Sequence, residues 1–164
     1  MSIGNAITPA GHRSLREELD RLKREGRERV AERIREALAS AADRTENSDL
    51  RQAREEQELL ERRIAILEER LAAADVVEPD PSNETLELGE RVRLRDLDSR
   101  RTVEYVLVGS HEVDPTRGRI SAVSPLGQAV LGARRGDVVT VEAPSGRRRY
   151  RVLAIEGASD AAAA

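Results

Sequence analysis

Asp43, Glu46 and Asp49 set three carboxylates at three-residue spacing, with Asn47 and Ser48 between the last two. Residues three apart lie on one face where the turn is helical. Carboxylate oxygens are ligands that a hard divalent cation prefers. The acids fall where one heptad stretch ends and a second begins, so they belong at the tip of a helical hairpin. Carboxylates at the end of a rigid rod can be delivered as metal ligands into a site on another molecule. The same residues also read as helix caps and solvated charge, and patterning alone leaves both readings open.

The elements that must carry this tip are legible on both sides of it. Leu50, Ala53, Gln57, Leu60, Ile64, Leu67, Leu71 and Ala74 alternate steps of three and four, an a/d seam interrupted only by Gln57. Leu15, Leu19, Leu22, Gly26, Val30, Ile34, Ala37 and Ala41 form a looser stripe of the same kind. Thr8 is placed to cap the first helix, with Pro9 at its first position, where no N–H is required. Gly26 weakens that helix by about 1 kcal/mol relative to Ala. Glu17/Arg21, Asp20/Arg24, Glu25/Arg29 and Glu58/Arg62 are i,i+4 pairs in the favoured order, each worth about 0.2–0.5 kcal/mol. Two narrow seams of matched length predict an antiparallel coiled coil, with arms of about 30 residues and a reach of about 45 Å.

Composition fits an elongated part joined to a small globular one. The 164 residues carry 28 basic and 31 acidic side chains for a net charge of −3, so no large single-sign field covers the chain. There is no Phe or Trp, and Tyr105 and Tyr150 are the only aromatics. The absence of cysteine excludes disulfides, thiol catalysis and Cys-type zinc sites. His12 and His111 are isolated from any ligand cluster and read as surface residues. Residues 1–9 lack a basic segment followed by an apolar run, so no signal peptide is expected. No stretch approaches the roughly 20 apolar residues of a membrane helix. A cytoplasmic protein is expected.

Beyond residue 80 the period changes from helix to strand. Segments 91–96, 102–108, 119–123, 137–143 and 147–155 read as strands, with a turn at Pro144-Ser145-Gly146 and a short helix over 126–131 ending at Gly132. The fold class is α+β: a helical hairpin followed by a small, mostly antiparallel sheet with one short helix. The expected organisation is a hairpin over 8–76, a linker over 77–84, a C-terminal domain over 85–157 and a disordered tail over 158–164. Arg147-Arg148-Arg149 reads as a solvated hairpin strand, with contact to nucleic acid or a protein partner as the other option. Ser124 carries no sign of a catalytic triad and reads as a turn or docking residue.

Three groups of residues, taken in order, resemble the bacterial GreA/GreB transcript-cleavage factors over nearly the whole chain. Thr8-Pro9-Ala10-Gly11 with Leu15-Arg16-Glu17-Glu18-Leu19-Asp20 is similar to that family's opening helix. Asp43, Glu46 and Asn47, followed by Ala53-Arg54-Glu55-Glu56-Gln57, are similar to its tip and returning helix. Ser124-Pro125-Leu126-Gly127, Leu131-Gly132 and Gly136-Asp137 are similar to its C-terminal signature.

The resemblance implies an FKBP-like C-terminal domain that docks on RNA polymerase beside the secondary channel. Ser124, Pro125, Leu126 and Gly127 would be partner-binding residues there. It implies that the hairpin reaches through the channel to the nascent RNA 3′ end, close to DNA in the elongation complex. Asp43 and Glu46 would then help hold a Mg²⁺ ion shared with the polymerase, with Asn47 and Asp49 in support. The chain itself would not be an enzyme, and it would act as a monomer without a membrane partner.

The tip also departs from the family pattern. Ala42 stands where a glycine is usual, Leu50 where an aromatic is usual, and an extra residue lies between Ile34 and Asp43. A carboxylate displaced by about 1 Å can cost about 10²-fold in rate. A regulator that occupies the channel without stimulating cleavage is therefore a second reading. An adaptor built on the helical hairpin and unrelated to polymerase is a third.

Overall fold

In a computed structural model the described residues are 3–40 and 48–157. They fall into two compact units, one formed by the described residues between Arg13 and Ala73 and the other by those up to His12 together with those from Ala74 on.

The helical unit contains α1 (Pro9–Arg21), a π-helical stretch (Leu22–Gly26), α2 (Arg27–Ser40) and α3 (Ser48–Ala73). The two arms run antiparallel. Glu18 pairs with Arg63 at 2.8 Å, Arg27 with Glu61 at 2.8 Å, and Arg33 with Glu56 at 2.6 Å, so one arm ascends as the other descends. The predicted seams are the packed faces. Leu19, Ile64 and Leu67 form a buried cluster, with Leu15, Leu22, Leu60 and Leu71 against it. Gln57, the polar interruption, is exposed.

Most of the described charge pairs run across the arms, while Glu32 and Arg35 pair along one at 2.8 Å. Besides the pairs above, Lys23 meets Glu68 at 2.6 Å. Arg24, expected to pair with the Asp20 carboxylate, donates to the Asp20 backbone carbonyl at 3.4 Å. A neighbouring antiparallel helix brings opposite charges together at the edges of the seam, and a bidentate contact such as Arg27–Glu61 fixes two well-directed bonds at once.

Gly26 also has a different role from the weak point expected of it. It is buried, and a Cβ there would lie 3.0 Å from Leu60 Cδ1. The π-helical stretch ends on Gly26, and the Arg27 N–H donates to the Leu22 carbonyl five residues back.

The second unit is a five-stranded sheet in the order β5-β4-β3-β7-β6, built from β3 (Glu90–Asp96), β4 (Thr102–Val108), β5 (Arg119–Ser121), β6 (Val138–Ala143) and β7 (Gly146–Gly157). The pairs are antiparallel as expected, except that β5 lies parallel to β4. The connection from β4 to β5 is not a tight hairpin but a longer loop, 109–118, which returns the chain to the start of the neighbouring strand. One helix, α4 (Pro125–Val130), packs on β6 and β5. The core is aliphatic, with Leu86, Val92, Leu94, Leu107, Val130 and Val152 all at 1 % exposure or less. Tyr105 and Tyr150 pack at its edge.

The N-terminal segment joins this second unit. β1 (Ala6–Ile7) pairs in parallel with β2 (Asp75–Val76), and Ala6 belongs to the sheet's core. The segment expected as a linker is partly tied down. Val77 N–H donates to the Ile7 carbonyl at 2.9 Å, and Asp80 accepts from Ser82 N–H at 2.9 Å. Among the described residues no helix is long and apolar enough to cross a membrane.

Candidate functional site

The acidic tip and the 121–127 turn belong to different units and are treated separately. Asp43, Glu46 and Asn47 lie outside the described residues. By chain position they fall between Ser40, where α2 ends, and Ser48, where α3 begins. Asp49 is described. It sits in the first turn of α3, where a negative charge is favoured by the helix dipole, and its side chain is exposed. Among the described residues no hydrogen bond or ion pair reaches its carboxylate. Leu50 beside it is half-buried.

Among the described residues there is no group of three or more His, Cys, Asp or Glu side chains able to hold a metal ion. The oxygen-only donor set Asp43, Glu46, Asn47 and Asp49 suits Mg²⁺, which keeps several waters and takes one or two carboxylates. Of these four residues only Asp49 is described, and it is exposed.

The turn around Ser124 is fully built. The Ser124 hydroxyl donates to the Ser121 carbonyl at 2.7 Å and accepts from the Gly127 N–H at 3.1 Å. It is therefore the N-cap of α4, with Pro125 next to it in the first turn. Gln128 N–H closes the first helical bond to the Ser124 carbonyl at 2.8 Å. Gly127 is required by proximity, because a Cβ there would sit 1.9 Å from the Ser121 carbonyl oxygen. With its hydroxyl committed in both directions, Ser124 shapes a turn and is not poised as a nucleophile. The turn presents Val123, 41 % exposed, and Pro125 to solvent, while Leu126 is half-buried against the core.

The loop leading to this turn is held by two acids. Asp114 accepts from Thr116 N–H at 3.0 Å and from the Thr116 hydroxyl, and that hydroxyl bond is the main reason its carboxyl is held below the usual aspartate range. Glu112 is the residue that sequence reasoning missed. Its side chain is 2 % exposed. It accepts from Thr8 N–H at 2.9 Å, from the Thr8 hydroxyl, from Gly109 N–H at 3.0 Å and from Arg119 Nη2 at 3.1 Å. Thr8 Oγ1 in turn accepts from Gly11 N–H at 3.0 Å, the predicted cap. A Cβ on Gly11 would lie 2.1 Å from Glu112 Oε1. Gly109 and Arg119 are near it in sequence, but nothing local points to Thr8, 104 residues away.

Comparison with known proteins divides the chain along the sequence, near residue 80. A family model described as transcription elongation factor, N-terminal, matches residues 5–76. A second, transcription elongation factor, GreA/GreB, C-term, matches residues 81–157. Transcription elongation factor GreA of Acidiphilium cryptum is 43 % identical over 150 residues, covering 91 % of this chain and 95 % of that one. The protein of the same name from Ralstonia nicotianae is 41 % identical over 152 residues, covering 92 % and 96 %. Among solved structures, GreA factor homolog 1 (Gfh1) of Thermus thermophilus is 35 % identical, with a TM-score of 0.41 over 93 % of this chain and 98 % of that one.

Proposed function

The chain belongs to the GreA/GreB family of transcription elongation factors, and from that premise we propose that it stimulates transcript cleavage by backtracked bacterial RNA polymerase. The C-terminal unit docks beside the secondary channel through the turn of Ser124, Pro125, Leu126 and Gly127. The helical hairpin enters the channel, and Asp43 and Glu46 meet the polymerase active centre at the RNA 3′ end, near the DNA of the elongation complex. The observation that carries this reading is the position of the two acids in the chain. They fall between the facing ends of two antiparallel helices locked by cross-arm ion pairs.

Asp43 and Glu46 bind and orient, with Asn47 and Asp49 in support. A Mg²⁺ ion held jointly by these carboxylates and the polymerase supplies, when bound, the activated water for hydrolysis. The hydrolytic site is the polymerase's own, so the isolated chain has no nuclease activity. Rigidity is what the arms contribute, since a tip misplaced by about 1 Å can lose about 10²-fold. The factor works as a cytoplasmic monomer.

Replacing both acids (Asp43→Ala with Glu46→Ala) should abolish stimulated cleavage, a loss on the order of 10²-fold or more. Binding to polymerase should stay within a few-fold, because docking belongs to the other unit. Full stimulation by the double variant would remove the carboxylates from the mechanism.

Leu50 favours a second reading. It stands where the family usually carries an aromatic, at the base of the tip. A factor whose tip no longer holds the acids in place would occupy the channel and slow transcription without stimulating cleavage, and the double variant would then behave like the unaltered chain.

A further inference from the structure

One end of the sheet carries an arginine array that the fold leaves largely without acidic partners among the described residues. Strand alternation puts Arg147, Arg149 and Arg151 of β7 on one face, at a repeat of about 6.8 Å. Register places Arg151 directly opposite Arg95 of β3 on the same face. Arg100 and Arg101 stand at the β3–β4 turn just beyond, and all six side chains are exposed. Arg147 pairs with Glu142 at 2.7 Å, and Arg149 reaches Asp98 at only 3.9 Å. Arg95, Arg100, Arg101 and Arg151 have no acidic partner among the described residues. Like charges directly opposite on neighbouring strands are destabilising. The chain as a whole is net negative at −3, so this corner is a local exception to its charge.

We propose that this corner binds the phosphate backbone of a nucleic-acid duplex. Arginine's planar fork matches phosphate oxygens with two parallel bonds, and phosphate is the counter-charge that the Arg95–Arg151 pair lacks. A duplex is favoured over a single strand by the lack of a stacking platform. Binding to single strands leans on aromatic side chains, and the only aromatics, Tyr105 and Tyr150, pack against the core. The corner has no exposed aromatic anchor of the kind that centres a protein–protein contact. Contact through phosphates alone is independent of sequence. The net negative charge elsewhere confines it to this face. None of this depends on how the chain meets polymerase, so the free protein with free duplex is a sufficient test.

The experiment is fluorescence anisotropy of a short labelled DNA duplex of arbitrary sequence, titrated with the full chain over a series of salt concentrations. The original chain should bind weakly at low salt. The double variant Arg95→Gln/Arg151→Gln should lose about tenfold in affinity, and the slope of log K against log salt should fall by about 2. Because that variant also removes a like-charge pair, its Tm should hold or rise by about 1–3 °C. Loss of binding with no loss of stability separates a binding role from a structural one. Arg29→Gln/Arg62→Gln on the helical unit makes the same charge change and should leave affinity within about twofold, since neither residue belongs to the corner. Equal losses in the two double variants would overturn the proposal. So would tighter binding to polyglutamate or to single-stranded DNA than to duplex, or no duplex binding at low salt.

Discussion

Asp96 shows how much of the sheet end hangs on single polar groups. Its carboxylate is almost fully buried and accepts from Asp98 N–H at 2.8 Å and Ser99 N–H at 2.9 Å, with Arg148 at 3.9 Å. The backbone bond from Ser99 is the leading reason its carboxyl is held below the usual aspartate range, and Arg148 adds to it. An acid whose folded value is depressed contributes stability that is complete above the ordinary value of about 3.9 and is lost as pH falls through the lower folded value. Asp96→Asn should therefore be less stable than the original at neutral pH, with the gap closing below about pH 4. Urea unfolding of both proteins across that range checks it, and a gap independent of pH would contradict the assignment. The Asx turn was not read from the sequence, although Asp96-Leu97-Asp98-Ser99 carries the residue types for it. Glu112's tie to the N-terminal segment had no local signal, because Thr8 is 104 residues away.

At the scale of elements, the first arm explains its own irregularity. Its stripe runs Leu22, Gly26, Val30 and Ile34 in three successive steps of four. In an α-helix of 3.6 residues per turn each such step drifts by about 40°, so three together would swing the seam off its partner. The π-helical stretch takes an extra residue into one turn and returns the stripe to the interface. The seams were legible because heptad spacing needs only residue type. The π turn was written in the 4,4,4 run but was not read from it. Gly26→Ala should leave stability within about 1 kcal/mol, as improved helix propensity is set against the 3.0 Å approach to Leu60. Gly26→Val should cost about 1–3 kcal/mol through overpacking. Far-UV circular dichroism during urea unfolding reports both, and a stabilised Gly26→Val would mean that the arms are not closely packed there. The strands were also legible from alternation, whereas the parallel placement of β5 on β4 was not, because pairing across a long loop leaves no local pattern.

For the molecule as a whole, the unit boundaries carry the main lesson. The described residues up to His12 assemble with the C-terminal unit although the chain runs through both helical arms in between. Ala6 and Ile7 are too short a strand to announce themselves; they are fixed by β2, and Thr8 beside them by Glu112. Thr8→Val should destabilise the C-terminal unit by about 1–3 kcal/mol, because a buried carboxylate loses a donor and Gly11 loses its cap acceptor. Hydrogen exchange should show the loss at Gly109 and in β4; an effect confined to the first turn of α1 would contradict a shared network. The central claim concerns what the tip does once the chain is on polymerase. It is tested most directly with a stalled, backtracked elongation complex carrying labelled RNA, at limiting Mg²⁺, with and without the protein. Rapid shortening of the RNA from its 3′ end, with short 3′ fragments released, is the predicted result. Unchanged or slower cleavage, with binding demonstrated in the same sample, would contradict it and leave a factor that fills the channel without delivering its acids.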